Sequence, residues 1–165
     1  MKFIYLLSTL TTILFLSSCV EEKKNEPEQI GRNTFEILKN ISIKSKQQYI
    51  EHFPSVEDIR ELAKNETLVT DQKTRNEMTS MPKEEWIELI LKDYNQTKEK
   101  AATLGINWQE ITYLDYVYEI EEKKGLKGVK GKLYFKSNEK SYHIEVNSIW
   151  NGTEYMIIRI KDLSE

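Results

Sequence analysis

The chain has 165 residues, 31% of them charged, with a formal charge of −3, one cysteine and two histidines. That length suits one domain with an ordinary core. The acidic balance excludes the basic surplus of a nucleic-acid binder, and the Cys and His counts exclude a disulfide framework and the usual composition of a zinc site.

Lys2 is the only charge before Glu21. From Phe3 to Phe15 the chain is apolar apart from Ser and Thr, and Leu16-Ser17-Ser18-Cys19 leads into Val20-Glu21-Glu22-Lys23-Lys24. A positive start, a short apolar run and small residues before a polarity boundary are the parts of a secretory signal. The run is too short to cross a hydrocarbon core of about 30 Å as a free-standing span. Leu16-Ser17-Ser18-Cys19 resembles the lipobox of bacterial lipoproteins. The resemblance implies removal of residues 1–18, diacylglyceryl modification of Cys19 and an acylated new N-terminus. Two or more acyl chains anchor stably where one does not. Glu21-Glu22 resembles the acidic export tags of surface lipoproteins of the Bacteroidota. Residues 19–29 then read as a flexible linker and 30–165 as the folded domain.

Ile30, Phe35, Leu38 and Ile41 recur at helical spacing and predict a helix from near Pro27 to about Lys44, with Asn33 as a candidate cap. Ser45 to Phe53 continues as helix or as a short second piece, and Pro54 stops it. Ser55-Val56-Glu57-Asp58 reads as a capping box opening a helix whose apolar face is Val56, Ile59, Leu62 and Ala63. Residues 65–80 are polar and read as a loop or weakly helical connection. That is long for a structureless loop, which predicts either a functional loop or a further element. Ser80 or Met81 would cap the strongest helix, Pro82 to Leu104, rich in Trp86, Ile87, Leu89, Ile90, Leu91 and Tyr94 and stopped by Gly105.

From Trp108 the period changes to two. Runs over 111–121, 126–136, 141–150 and 153–163 alternate apolar and polar residues and are separated by turn signals, Asn151-Gly152 being read as a type I′ hairpin. The predicted fold is α+β, with N-terminal helices packed on one face of a four-stranded antiparallel meander. This element order resembles the cystatin-like and nuclear-transport-factor-2-like cone fold of small lipoproteins. Some members of that fold, of the polyketide-cyclase-like and isomerase-like kinds, work with an acid and a Tyr inside the cone.

Alternation places Leu114, Tyr116 and Tyr118 inward and Tyr113, Asp115, Val117 and Glu119 outward, so the pocket-acid role is not carried to Asp115. A one-residue slip would invert that assignment. His52 and His143 lie in no catalytic spacing and read as solvated or capping residues. Trp86, Tyr94, Tyr116, Tyr118 and Trp150 read first as core, and otherwise as the lining of a small-molecule pocket. Tyr113, Tyr134, Tyr155 and Arg159 mark the outer sheet face as the preferred partner surface. The sequence thus leads to an envelope lipoprotein, held to the membrane through Cys19, which binds a partner protein or small ligand without metal or cofactor. The alternatives are an enzyme with a pocket carboxylate and an inhibitor or immunity-type lipoprotein.

Overall fold

The computed structural model describes residues 26–165. The signal segment, Cys19 and most of the expected linker lie outside the described residues. Helix α1 (Pro27–Lys39) begins at Pro27 after Glu26, where its spacing predicted, so residues 27–29 of the expected linker span are helical. Asn33 is therefore interior and caps nothing. Asn40, whose side chain donates to the Glu36 carbonyl (2.8 Å), ends the helix short of Lys44.

Ser45 then starts a separate helix, α2 (Lys46–Ile50), by a reciprocal capping box with Gln48. The same device opens α3 (Val56–Ala63), where Ser55 and Asp58 exchange side-chain and backbone hydrogen bonds. Its buried face is Val56, Ile59, Leu62 and Ala63.

The polar stretch before Ser80 contains a helix, α4 (Gln72–Ser80). Asp71 accepts from the Thr74 backbone N–H and hydroxyl, both at 2.8 Å. Val69, fully buried, forms an isolated bridge with Leu126, and the Thr70 N–H donates to the Gly125 carbonyl. The segment is thereby tied to one end of the sheet. Helix α5 (Lys83–Leu104) has Pro82 as its N-cap, not as its first helical residue. It stops at Gly105, whose φ of 68° suits a residue without Cβ, and the Ile106 N–H turns back onto the Ala101 carbonyl. A single 3-10 turn, Trp108–Glu110, leads into the sheet.

The four strands, β1 (Thr112–Lys123), β2 (Leu126–Ser137), β3 (Lys140–Trp150) and β4 (Tyr155–Ser164), pair antiparallel in the order β1-β2-β3-β4. The first two turns are the tight ones. Lys124-Gly125 and Asn138-Glu139 all have φ between 49° and 66°, the signature of type I′ loops. Asn151-Gly152 is not such a turn. It belongs to a four-residue loop in which the Asn151 Oδ1 accepts from the Thr153 and Glu154 N–H groups. An Asn side chain that satisfies two loop amides holds the wider loop without a backbone φ above zero at Asn151.

Helix α1 lies across all four strands with Ile30, Thr34, Ile37 and Leu38 buried against them, and α5 runs beside β4. The core between them includes Leu133, Phe135, Ile144, Val146 and Ile160, each essentially without exposure. One edge of the sheet is thus flanked by a helix. The other edge is β1, and no strand pairs its far side among the described residues.

Candidate functional site

The expected pocket residues do not converge. Trp86 and Tyr94 are buried on α5 beyond β4. Tyr116 and Tyr118 are on β1, the opposite edge strand. Trp86 donates its indole N–H to the Pro54 carbonyl (2.8 Å), which locks it between α5 and the loop before α3. Tyr94 packs on Tyr49 at 4.7 Å between centroids. Trp150 is half-buried against Tyr155 at 4.9 Å.

Tyr116 fills the space where a pocket would open. Its ring lies between Gly31 of α1 and Gly131 of β2. A Cβ at either glycine would stand 2.4 Å from the nearest Tyr116 atom. Burial holds the Tyr116 and Tyr49 hydroxyls far above the ordinary phenol range, so both rings are neutral packing groups.

The buried acid of this fold is one that the sequence reading missed. Asp93 sits on the core-facing stripe of α5, with Trp86, Ile90, Thr97 and Ala101, and its side chain is 4% exposed. Arg159 of β4 clamps it through both nitrogens of a fork: Nη2 to Oδ1 at 2.7 Å, and Nε to Oδ2. The bond to Asp93 holds the Arg159 guanidinium above its already high range. A single acid in step with a helix stripe that is otherwise uncharged was the available signal. With both oxygens occupied, Asp93 is a structural anion. Asp115, by contrast, is exposed, and its Oδ1 accepts from the adjacent Tyr116 N–H (2.8 Å).

The expected partner face needs three corrections. β1 carries a bulge between Tyr113 and Asp115, which shifts the register by one residue. Tyr113 consequently lies on the inner side, edge-on to Phe35 and under Arg32. Tyr155, opposite Trp150, shares the inner face with it. Arg159 is committed to Asp93. Tyr134 does lie on the outer face, its ring tilted against that of His143 at 5.5 Å between centroids.

What remains exposed is distinctive. Among the described residues four large hydrophobic side chains are strongly exposed, and three of them are on β1: Leu114 (42%), Val117 (56%) and Ile120 (55%). Next to them, Val117, Tyr118, Glu119, Lys130, Gly131, Lys132 and Tyr134 line a shallow cavity of about 270 Å³.

Two larger, polar grooves, of about 620 and 570 Å³, meet at Asp58, Asn151 and Met156. Their polar lining is already used locally. Asp58 caps α3, Asn151 holds the β3–β4 loop, and Lys44 Nζ lies 2.6 Å from His52 Nε2. Partial burial, and then Lys44, hold the His52 imidazole below its ordinary range, with Glu51 opposing. The fold therefore favours the neutral ring, and the unfolded chain takes up the proton first. The stability this ring contributes is complete above about pH 6.5 and declines as pH falls through the depressed folded value. Denaturant titrations across that range should show the decline, and His52→Gln should flatten it.

No group of three or more His, Cys, Asp or Glu side chains among the described residues is placed to hold a metal ion. No helix among them is long and apolar enough to cross a membrane. The geometry thus defines an α+β domain with a side-chain-filled interior, a buried ion pair and one open strand edge. No protein-family model matches the chain, and comparison with curated proteins and with solved structures finds no match.

Proposed function

We propose that this protein is a lipid-anchored, non-enzymatic component of the cell envelope that binds a partner protein through the outer sheet face and the adjoining strand β1. The anchor half rests on Leu16-Ser17-Ser18-Cys19 and the apolar run before it. The cystatin-like and nuclear-transport-factor-2-like resemblance belongs to the same proposal, as the likeness of a cone whose interior is here occupied. The observation that carries the binding half is the exposed Leu114, Val117 and Ile120 on an edge strand whose far side pairs with no strand among the described residues. Val117 faces outward opposite Lys132, Ile120 inward opposite Val129, and Leu114 stands in the bulge, so this apolar area follows the strand edge on both sides, where it marks an interaction surface more often than a decoration. An enzymatic reading has lost its motive: Asp115 is exposed and Asp93 is spent on Arg159.

Two measurements test this. Intact mass of membrane-extracted protein should show a chain beginning at Cys19 with acyl mass added, and Cys19→Ala should lose it. An unmodified Cys19 would sink the anchor. A photo-crosslinking side chain at Tyr134 should give a discrete protein adduct in cells, whereas one at Lys73, exposed on α4, should not. Equal yields at both positions would sink the partner face.

A further inference from the structure

We infer that β1 accepts an extended, basic polypeptide segment as a fifth strand of the sheet. This rests on the partner-binding reading above and names the partner's chemistry.

An edge strand presents unpaired N–H and C=O groups along its free side. From Asp115 to Lys123 the pairing of β1 with β2 runs without interruption, so the strand is regular over nine residues. At about 3.4 Å per residue that offers an edge of roughly 30 Å. The opposite edge of the sheet has α5 beside it, so β1 is the place where a strand can be added.

Proteins guard such edges with charges and bulges, and β1 has both. Guarding alone does not explain Leu114, Val117 and Ile120 in water. A strand laid beside β1 would cover part of each. The 270 Å³ cavity on the outer side of the same strand offers a seat for one side chain of the added segment.

Charge selects the occupant. Asp115, Glu119, Glu121 and Glu122 lie on β1 against the single Lys123, and none of the four takes part in an ion pair among the described residues. A second copy of β1 is a poor occupant. Antiparallel self-pairing centred on Val117 sets Asp115 opposite Glu119 twice, centring on Tyr118 sets Asp115 opposite Glu121 twice, and centring on Glu119, which does bring Asp115 to Lys123, sets Glu119 against itself. Like charges directly opposite are unfavourable. Glu119 and Glu122 already face Lys130 and Lys127 across the β1–β2 ladder, which leaves Asp115 and Glu121 as the acids with no facing lysine. A directly opposed side chain on the added strand would sit about 5 Å from the β1 acids, while β2 is two strand spacings away, about 10 Å. That is beyond the screening length of about 8 Å at physiological salt. Alternating basic and apolar residues are therefore what this edge fits.

The test uses the full acylated chain in detergent and three fluorescein-labelled decapeptides: alternating Lys-Val, alternating Glu-Val, and Lys-Val N-methylated at every residue. Anisotropy should show Lys-Val binding about tenfold or more tighter than Glu-Val, and the N-methylated peptide, which keeps the charges but has no N–H to donate, should fail to bind. Glu119→Lys with Glu121→Lys should invert the preference. Glu88→Lys with Glu99→Lys, the same charge change on α5, should leave it in place. Equal binding of the N-methylated peptide would overturn the inference, since bulk charge would then suffice. So would absence of Lys-Val binding, or sedimentation showing β1-dependent dimers. If the Tyr134 adduct persists while the peptide results fail, only the strand-addition claim falls. Loss of the adduct removes the partner reading itself.

Discussion

Arg159→Met is expected to destabilise the fold by about 3–5 kcal/mol, read as a lower urea midpoint with an unchanged slope. The size follows from the asymmetry of burial. Asp93's side chain is 4% exposed and Arg159's is 29%. Removing the arginine strands a carboxylate in the interior, and desolvation of that anion, not loss of attraction, supplies most of the effect. The arginine alone keeps some water, so Asp93→Leu should be the milder of the two single changes. The pair Asp93→Leu with Arg159→Met should regain much of the loss, because apolar groups of similar volume often replace a buried ion pair without penalty. Additive single effects would show that the clamp is not a coupled unit.

Legibility in the sequence divides along the same physical line. Period-two alternation found all four strands and Ser55-x-x-Asp58 the start of α3, while the equivalent Ser45-x-x-Gln48 box went unread. What alternation does not carry is a bulge. The extra residue between Tyr113 and Asp115 leaves the downstream pattern intact, so Tyr116 and Tyr118 point inward as expected while Tyr113 changes side. Helix α4 was hidden for a different reason. Only Thr74 and Met78 of its nine residues are buried, too few to raise a periodic signal. Its start at Asp71, with Thr74 three residues on, was readable. The candidate site fared worst, because exposure on an edge strand depends on which strands are neighbours, and that is a property of topology alone. Asp93 was legible and overlooked: it falls in step with Trp86, Ile90 and Thr97.

The second large effect is expected at the glycines around Tyr116. Gly131→Ala would set a Cβ 2.4 Å from the phenol end of the ring, and Gly31→Ala would set one 2.4 Å from its root. Each end of the ring blocks escape from a clash at the other, so the usual relief of a side-chain shift is closed. Overpacking of this kind typically destabilises by about 1–3 kcal/mol, and the double-ended confinement puts both changes at or above the top of that range. Tyr116→Leu, which shortens the ring, should rescue Gly131→Ala in thermal unfolding and leave Gly31→Ala largely unrelieved. Equal rescue of both would mean that the ring pivots freely.

The sheet is assembled from neighbouring hairpins, but the helical half depends on it. α1 buries Ile30, Ile37 and Leu38 on strands that begin more than seventy residues later, and Asp93 waits for Arg159. A chain released N-terminus first therefore presents its helices before anything exists to cover them. β4 brings Arg159, Ile160 and Leu163 together, so the core and the ion pair are complete only with this strand in place. Until Arg159 is in place Asp93 has no partner for its charge, and α1 lacks one of the four strands it lies across.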